Sequence, residues 1–92
     1  MKNYETAYDK VTIGSTIEIR DLHSNERETY TLSLPNDADI SRNRISSLAP
    51  IGKALYGRRI GDTVAVDAPG GLFRVRIESV NHEPMTQLAR AG

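Results

Sequence analysis

Ninety-two residues supply apolar volume for a single core, which excludes a two-domain reading. Twelve basic and twelve acidic residues cancel, which removes the general attraction to phosphate of a stand-alone nucleic-acid binder, so DNA or RNA is expected to be met only indirectly. Without cysteine there is no disulfide framework or thiolate metal site, and no apolar stretch approaches the roughly 20 residues of a membrane span or forms a secretory signal, so a cytoplasmic protein without membrane contact is expected.

Residues 1–10 are polar, with Tyr4 and Tyr8 as their large side chains, and read as a flexible lead-in to a domain over 11–83. Val11 and Ile13, then Ile17 and Ile19, alternate with polar residues as a half-buried strand does, with Gly14-Ser15 as punctuation. His23-Ser24-Asn25-Glu26 forms a turn, after which Tyr30, Leu32 and Leu34 face one side and Thr29, Thr31 and Ser33 the other, predicting a hairpin. Pro35 cannot donate to a ladder and ends the second strand; the polar run to Arg44 is then a surface loop.

The run from Ile45 to Asp62, ISSLAPIGKALYGRRIGD, is the densest signal in the chain. Leu48, Ile51 and Leu55 recur at helical spacing and predict a helix of about two turns with one apolar face. Pro50 suits its first position, Gly57 the left-handed residue that closes it, and Arg58 and Arg59 the negative end of its dipole. Val64 and Val66 then mark a strand, Ala68-Pro69-Gly70-Gly71 a turn, and Phe73, Val75 and Ile77 a last long strand whose other face shows Arg74, Arg76 and Glu78. Residues 84–92 read as a tail. The expectation is an α+β domain with an antiparallel sheet of four to five strands packed on one short helix.

Catalytic chemistry is hard to assemble from these residues. His23 and His82 lie far apart with no second ligand at metal-site spacing, and read as solvated turn and tail residues. Ser46 and Ser47 lack a G-x-S-x-G turn and are better read as helix caps. Asp37 and Asp39 could begin a calcium loop, but the glycine and glutamate that such a loop needs are missing, and Gly70-Gly71 lacks the lysine of a phosphate cradle. Arg58, Arg59, Arg74 and Arg76 could gather as a basic patch or be scattered solubilising charge. No metal or cofactor is expected.

The same run resembles the C-terminal domain of the bacterial GreA and GreB transcription factors. Gly14-Ser15 before Ile17, Asp37-Ala38-Asp39-Ile40 and Pro69-Gly70-Gly71 match further blocks of that family at fitting separations, so the resemblance covers about Val11 to Val80. Ala49-Pro50 replaces the family's usual Ser-Pro helix start, removing a side-chain cap worth about 1 kcal/mol. Leu34-Pro35-Asn36-Asp37, Leu48-Ala49-Pro50-Ile51-Gly52 and His82-Glu83-Pro84 are closer to the Rnk branch, named for regulation of nucleoside diphosphate kinase.

The resemblance implies an FKBP-like fold and docking at the rim of the RNA polymerase secondary channel, through Asp37, Asp39, Ser46, Ser47, Leu48, Ala49 and Pro50. Gre factors act through an N-terminal coiled coil whose acidic tip reaches the polymerase active centre. The residues before Val11 are too few for one, so the expected function is a non-catalytic RNA polymerase-binding module that modulates transcription elongation. Two other readings are a prolyl isomerase, which rests on fold alone and lacks the aromatic residues of such a pocket, and an interaction subunit that needs a partner chain.

Overall fold

The computed structural model describes residues 10–82. The expected tail and all of the lead-in except Lys10 therefore lie outside the described residues.

Strand β1 (Thr16–Asp21) and β2 (Arg27–Ser33) form the expected antiparallel hairpin, with Ile17 opposite Tyr30 and Arg20 opposite Arg27. The turn between them is held by Asp21, whose Oδ1 accepts from the backbone N–H of His23 at 2.8 Å and of Ser24 at 3.1 Å. After β2 the chain makes two short 3-10 turns, Pro35–Asp37 and Ile40–Arg42, and enters β3 (Arg44–Ser46). A single helix, α1 (Pro50–Leu55), leads to β4 (Thr63–Ala68) and β5 (Gly71–Asn81), joined by the Pro69-Gly70 turn. The five strands lie in the order β3-β2-β1-β5-β4.

This is the α+β sheet with one short helix that the sequence pattern predicts, with one difference in direction. Strand β3 pairs parallel to β2, Leu32 beside Ile45, while every other pair is antiparallel, so the sheet is mixed. Parallel neighbours need a crossover. The Pro35–Asn43 loop supplies it, so Ile45 and Ser46 belong to a strand and not to a helix start.

One sheet face is apolar and the other polar, as antiparallel hairpins allow. The apolar face carries Ile17, Ile19, Leu32, Ile45, Val64, Val66, Val75, Ile77 and Val80, all buried, and Leu55 of α1 and Val11 close over it. The segment before β1 is clamped to the end of the helix: Val11 N–H donates to Arg58 O at 2.7 Å, and Gly57 N–H donates to Val11 O at 2.8 Å. Gly57 has φ +81, the left-handed value expected of a helix-closing glycine.

Three side chains expected to point inward do not. Ile13 sits in the Ile13-Gly14 turn instead of a strand, Leu34 follows the end of β2, and Leu48 precedes α1; all three are exposed. His82, in contrast, is half-buried: its Nδ1 lies 3.2 Å from the hydroxyl of the buried Ser15, which also accepts from Thr12 N–H at 2.9 Å. His23 is exposed in its turn, as expected.

A candidate docking surface

The crossover and the helix start lie side by side because β3 links them. At its beginning, Arg44 exchanges two backbone hydrogen bonds with Asp39, at 2.8 and 3.0 Å, and its Nε donates to Asp37 O at 3.2 Å. Asp39 is occupied locally. It caps the second 3-10 turn, with Oδ1 accepting from Ser41 N–H at 3.2 Å and Ser41 Oγ at 2.6 Å, and its Oδ2 stands 3.9 Å from Arg42 Nε. These contacts shape the loop, and Asp37 and Asp39 remain exposed beside it.

At the other end of β3 the chain turns sharply. Ser47 N–H donates to Ser33 O at 2.9 Å, Ala49 N–H to Ser46 O at 3.0 Å, and Leu48 N–H to Ser46 Oγ at 3.0 Å. Ser46 therefore caps a turn, not the helix: α1 begins on Ala49 with no side-chain cap and with Pro50 in its first turn, as the Ala49-Pro50 sequence implies. Gly52 allows the approach. A Cβ at this position would lie 2.0 Å from Ser46 O and 3.1 Å from Ser47 Cα, so only glycine lets the helix rest on the loop backbone.

The result is a rigid loop with Leu48 on its outside. Beside it runs an open groove of about 360 Å³, lined by Ile13, Leu34, Ser47, Lys53 and Tyr56. Ile13, Leu34, Leu48 and Tyr56 are between 40% and 65% exposed. Isolated exposed apolar residues are ordinary on a surface; grouped beside a rigid loop they are the usual material of an interface core. Of the sequence-predicted site residues, Ser47 lines the groove, Ser46 braces the loop, Ala49 and Pro50 start the helix, and Leu48 is displayed.

Ile13, Leu34 and Tyr56 were not legible as part of this surface, because alternation assigns the first two to the core. No group of three or more potential metal ligands occurs among the described residues. Nor is any described helix long and apolar enough to cross a membrane.

A family model for the GreA/GreB C-terminal domain of transcription elongation factors matches residues 5–82. The chain belongs to this family. A GreA/GreB relative, the transcription elongation factor GreA of Nitratidesulfovibrio vulgaris (strain Miyazaki F), is 47% identical over 75 residues, which cover 82% of this chain and 47% of that protein. GreA of Thermotoga neapolitana is 38% identical over 80% of this chain and 47% of its own length. The chain thus spans about half the length of the curated relatives it matches. Among solved structures, the Gfh1 protein of Thermus thermophilus superimposes with a TM-score of 0.71 at 32% identity, over 84% of this chain and 51% of Gfh1. A GreA/GreB elongation factor from Nitrosomonas europaea gives 0.70 at 41% identity, over 86% of this chain and 66% of that one. The family match at residues 5–82 spans the crossover, the loop at Ser46–Pro50 and the residues that line the groove.

Proposed function

We propose that this protein is a binding module that docks on RNA polymerase near its secondary channel and modulates transcription elongation without chemistry of its own. Its contact surface is the Ser46–Pro50 loop with Asp37 and Asp39 at its flank. One observation carries the reading: a backbone-locked loop presents Leu48 next to the apolar groove of Ile13, Leu34 and Tyr56. A loop already fixed in shape loses little conformational entropy on binding, and apolar anchors of this kind contribute most of an interface's energy. Asp37 and Asp39 add charge at the rim, where it steers encounter more than it holds the complex. Nucleic acid is reached only through the polymerase, in the cytoplasm.

Co-purification of the tagged chain with bacterial core polymerase tests the proposal. Retention of polymerase by the native chain and its loss with Leu48→Asp supports it; equal retention by both proteins, or by neither, counts against it.

A further inference from the structure

The polar face of the sheet carries an unexpected charge arrangement at its hairpin end. Arg27 of β2 stands opposite Arg20 of β1, and Arg20 stands opposite Arg76 of β5, so three arginines occupy one rung across three adjacent strands. Arg74 follows two residues along β5, on the same face as Arg76. Like charges directly opposite one another destabilise a sheet. One of the four is relieved within the chain. The register of β1 against β5 slips between Glu18 and Ile19, leaving Glu78 as an extra residue, and Glu78 Oε2 lies 3.1 Å from Arg20 Nε. A bulge is the standard way to re-aim a side chain. Ion pairs among the described residues reach Arg20 and Arg42 but not Arg27, Arg74 or Arg76, and these three are exposed.

Next to the arginines is a groove of about 610 Å³ lined by Asp21, Leu22, His23, Leu72, Phe73 and Arg74. Leu72 is 65% exposed and Leu22 43%. Apolar seats flanked by cations call for an occupant with apolar and anionic groups side by side. Single-stranded nucleic acid is a poor fit, because its binders stack bases on aromatic platforms. Among the described residues Phe73 is the one aromatic side chain lining the groove, and it packs in part against the core; Tyr30 packs on the core side, and Tyr56 ends the helix at the other surface, so no row of stacking rings is present. An acidic amphipathic helix fits: Arg27 and Arg76 stand two strands, roughly 10 Å, apart, close to the roughly 10.5 Å between carboxylates seven residues apart on a helix.

We propose that this hairpin end is a second docking surface, for an acidic amphipathic helix of a partner protein, whose leucine-like side chains seat against Leu22 and Leu72 while its carboxylates meet Arg27, Arg74 and Arg76. The inference is independent of the polymerase reading, since it uses the polar sheet face and not the Ser46–Pro50 loop.

Fluorescence anisotropy of the full chain with a labelled helical peptide of about five turns, leucine on one face and glutamate elsewhere, tests it. The expected result is salt-sensitive binding that Arg74→Glu with Arg76→Glu, or Leu72→Asp alone, weakens at least about tenfold, while Leu48→Asp leaves it unchanged. All of these positions are exposed, and an unchanged circular dichroism spectrum verifies that the variants fold. No binding at about millimolar concentration, equal binding of a peptide with leucine and glutamate scrambled, loss with Leu48→Asp, or tighter binding of an oligouridine of the same length each overturns the proposal.

Discussion

Replacing Gly52 with alanine sets two physical effects against each other with opposite signs. Gly52 lies inside α1, where intrinsic propensity favours alanine by about 1 kcal/mol. The structure predicts the reverse outcome, because the new Cβ would sit 2.0 Å from the Ser46 carbonyl oxygen and 3.0 Å from its carbon. The obstacle is backbone, which cannot rotate aside as a flexible side chain does. Relief requires the helix to move off the loop by more than an ångström, which strains the Ala49 N–H to Ser46 O and Leu48 N–H to Ser46 Oγ hydrogen bonds, both 3.0 Å. It also lifts Leu55 from the core. Two weakened hydrogen bonds at about 1 kcal/mol each and overpacking of about 1–3 kcal/mol outweigh the propensity gain of about 1 kcal/mol, leaving a net loss of about 2–4 kcal/mol. That is a large share of a small domain's stability and lowers Tm by roughly 8–30 °C. Urea unfolding followed by circular dichroism measures it directly. A Gly52→Ala protein as stable as the native chain, or more stable, would refute the close-approach argument.

Leu32 of β2 lies beside Ile45 of β3 and is fully buried in the core, so Leu32→Ala should lose about 2–5 kcal/mol in the same urea titration. Leu48→Asp, at an exposed position, should change stability by less than about 0.5 kcal/mol while weakening polymerase binding. Burial and the Glu28 carboxylate that accepts a hydrogen bond from its hydroxyl raise the Tyr30 pKa from 10.0 to about 12. The neutral phenol is therefore favoured by folding: its contribution is fully present below pH 10 and is lost as pH rises towards 12, a fall that Tyr30→Phe should blunt in alkaline melts. Asp21 behaves oppositely. Backbone N–H groups of Ser24 and His23 lower its pKa below 3.8, so its contribution is present above that value and disappears in stronger acid, which an Asp21→Asn comparison at low pH detects.

Elements whose own residues determine them could be read from the chain. The β1–β2 and β4–β5 hairpins follow from two-residue alternation broken by turn formers, and the helix bounds follow from Pro50 and Gly57, both observed where expected. What depends on distant partners could not. Strand β3 has three residues and no usable periodicity, and it exists because β2 offers an edge beside Arg44, Ile45 and Ser46. Leu48 shares helical spacing with Ile51 and Leu55, yet the helix begins after it, since Pro50 is suited to the first turn and Ser46 ties the preceding residues into a turn. The Ser46–Pro50 loop proposed to dock was readable as a feature through the family resemblance. Its apolar groove was not, because alternation places Ile13 and Leu34 in the core, whereas a turn at Gly14 and the end of β2 at Ser33 release both to the surface. His82 similarly acquires its Ser15 partner only when β5 lies against β1.

Equilibrium binding to bacterial core RNA polymerase, measured by biolayer interferometry with the native chain, Leu48→Asp and Leu72→Asp, tests the central claim most directly. Docking through the Ser46–Pro50 loop predicts binding of the native chain, a loss of at least about tenfold with Leu48→Asp from the removal of one apolar anchor and the burial of a charge, and native affinity for Leu72→Asp. Equal affinity for all three proteins, or no binding of the native chain at about 100 µM, would contradict it.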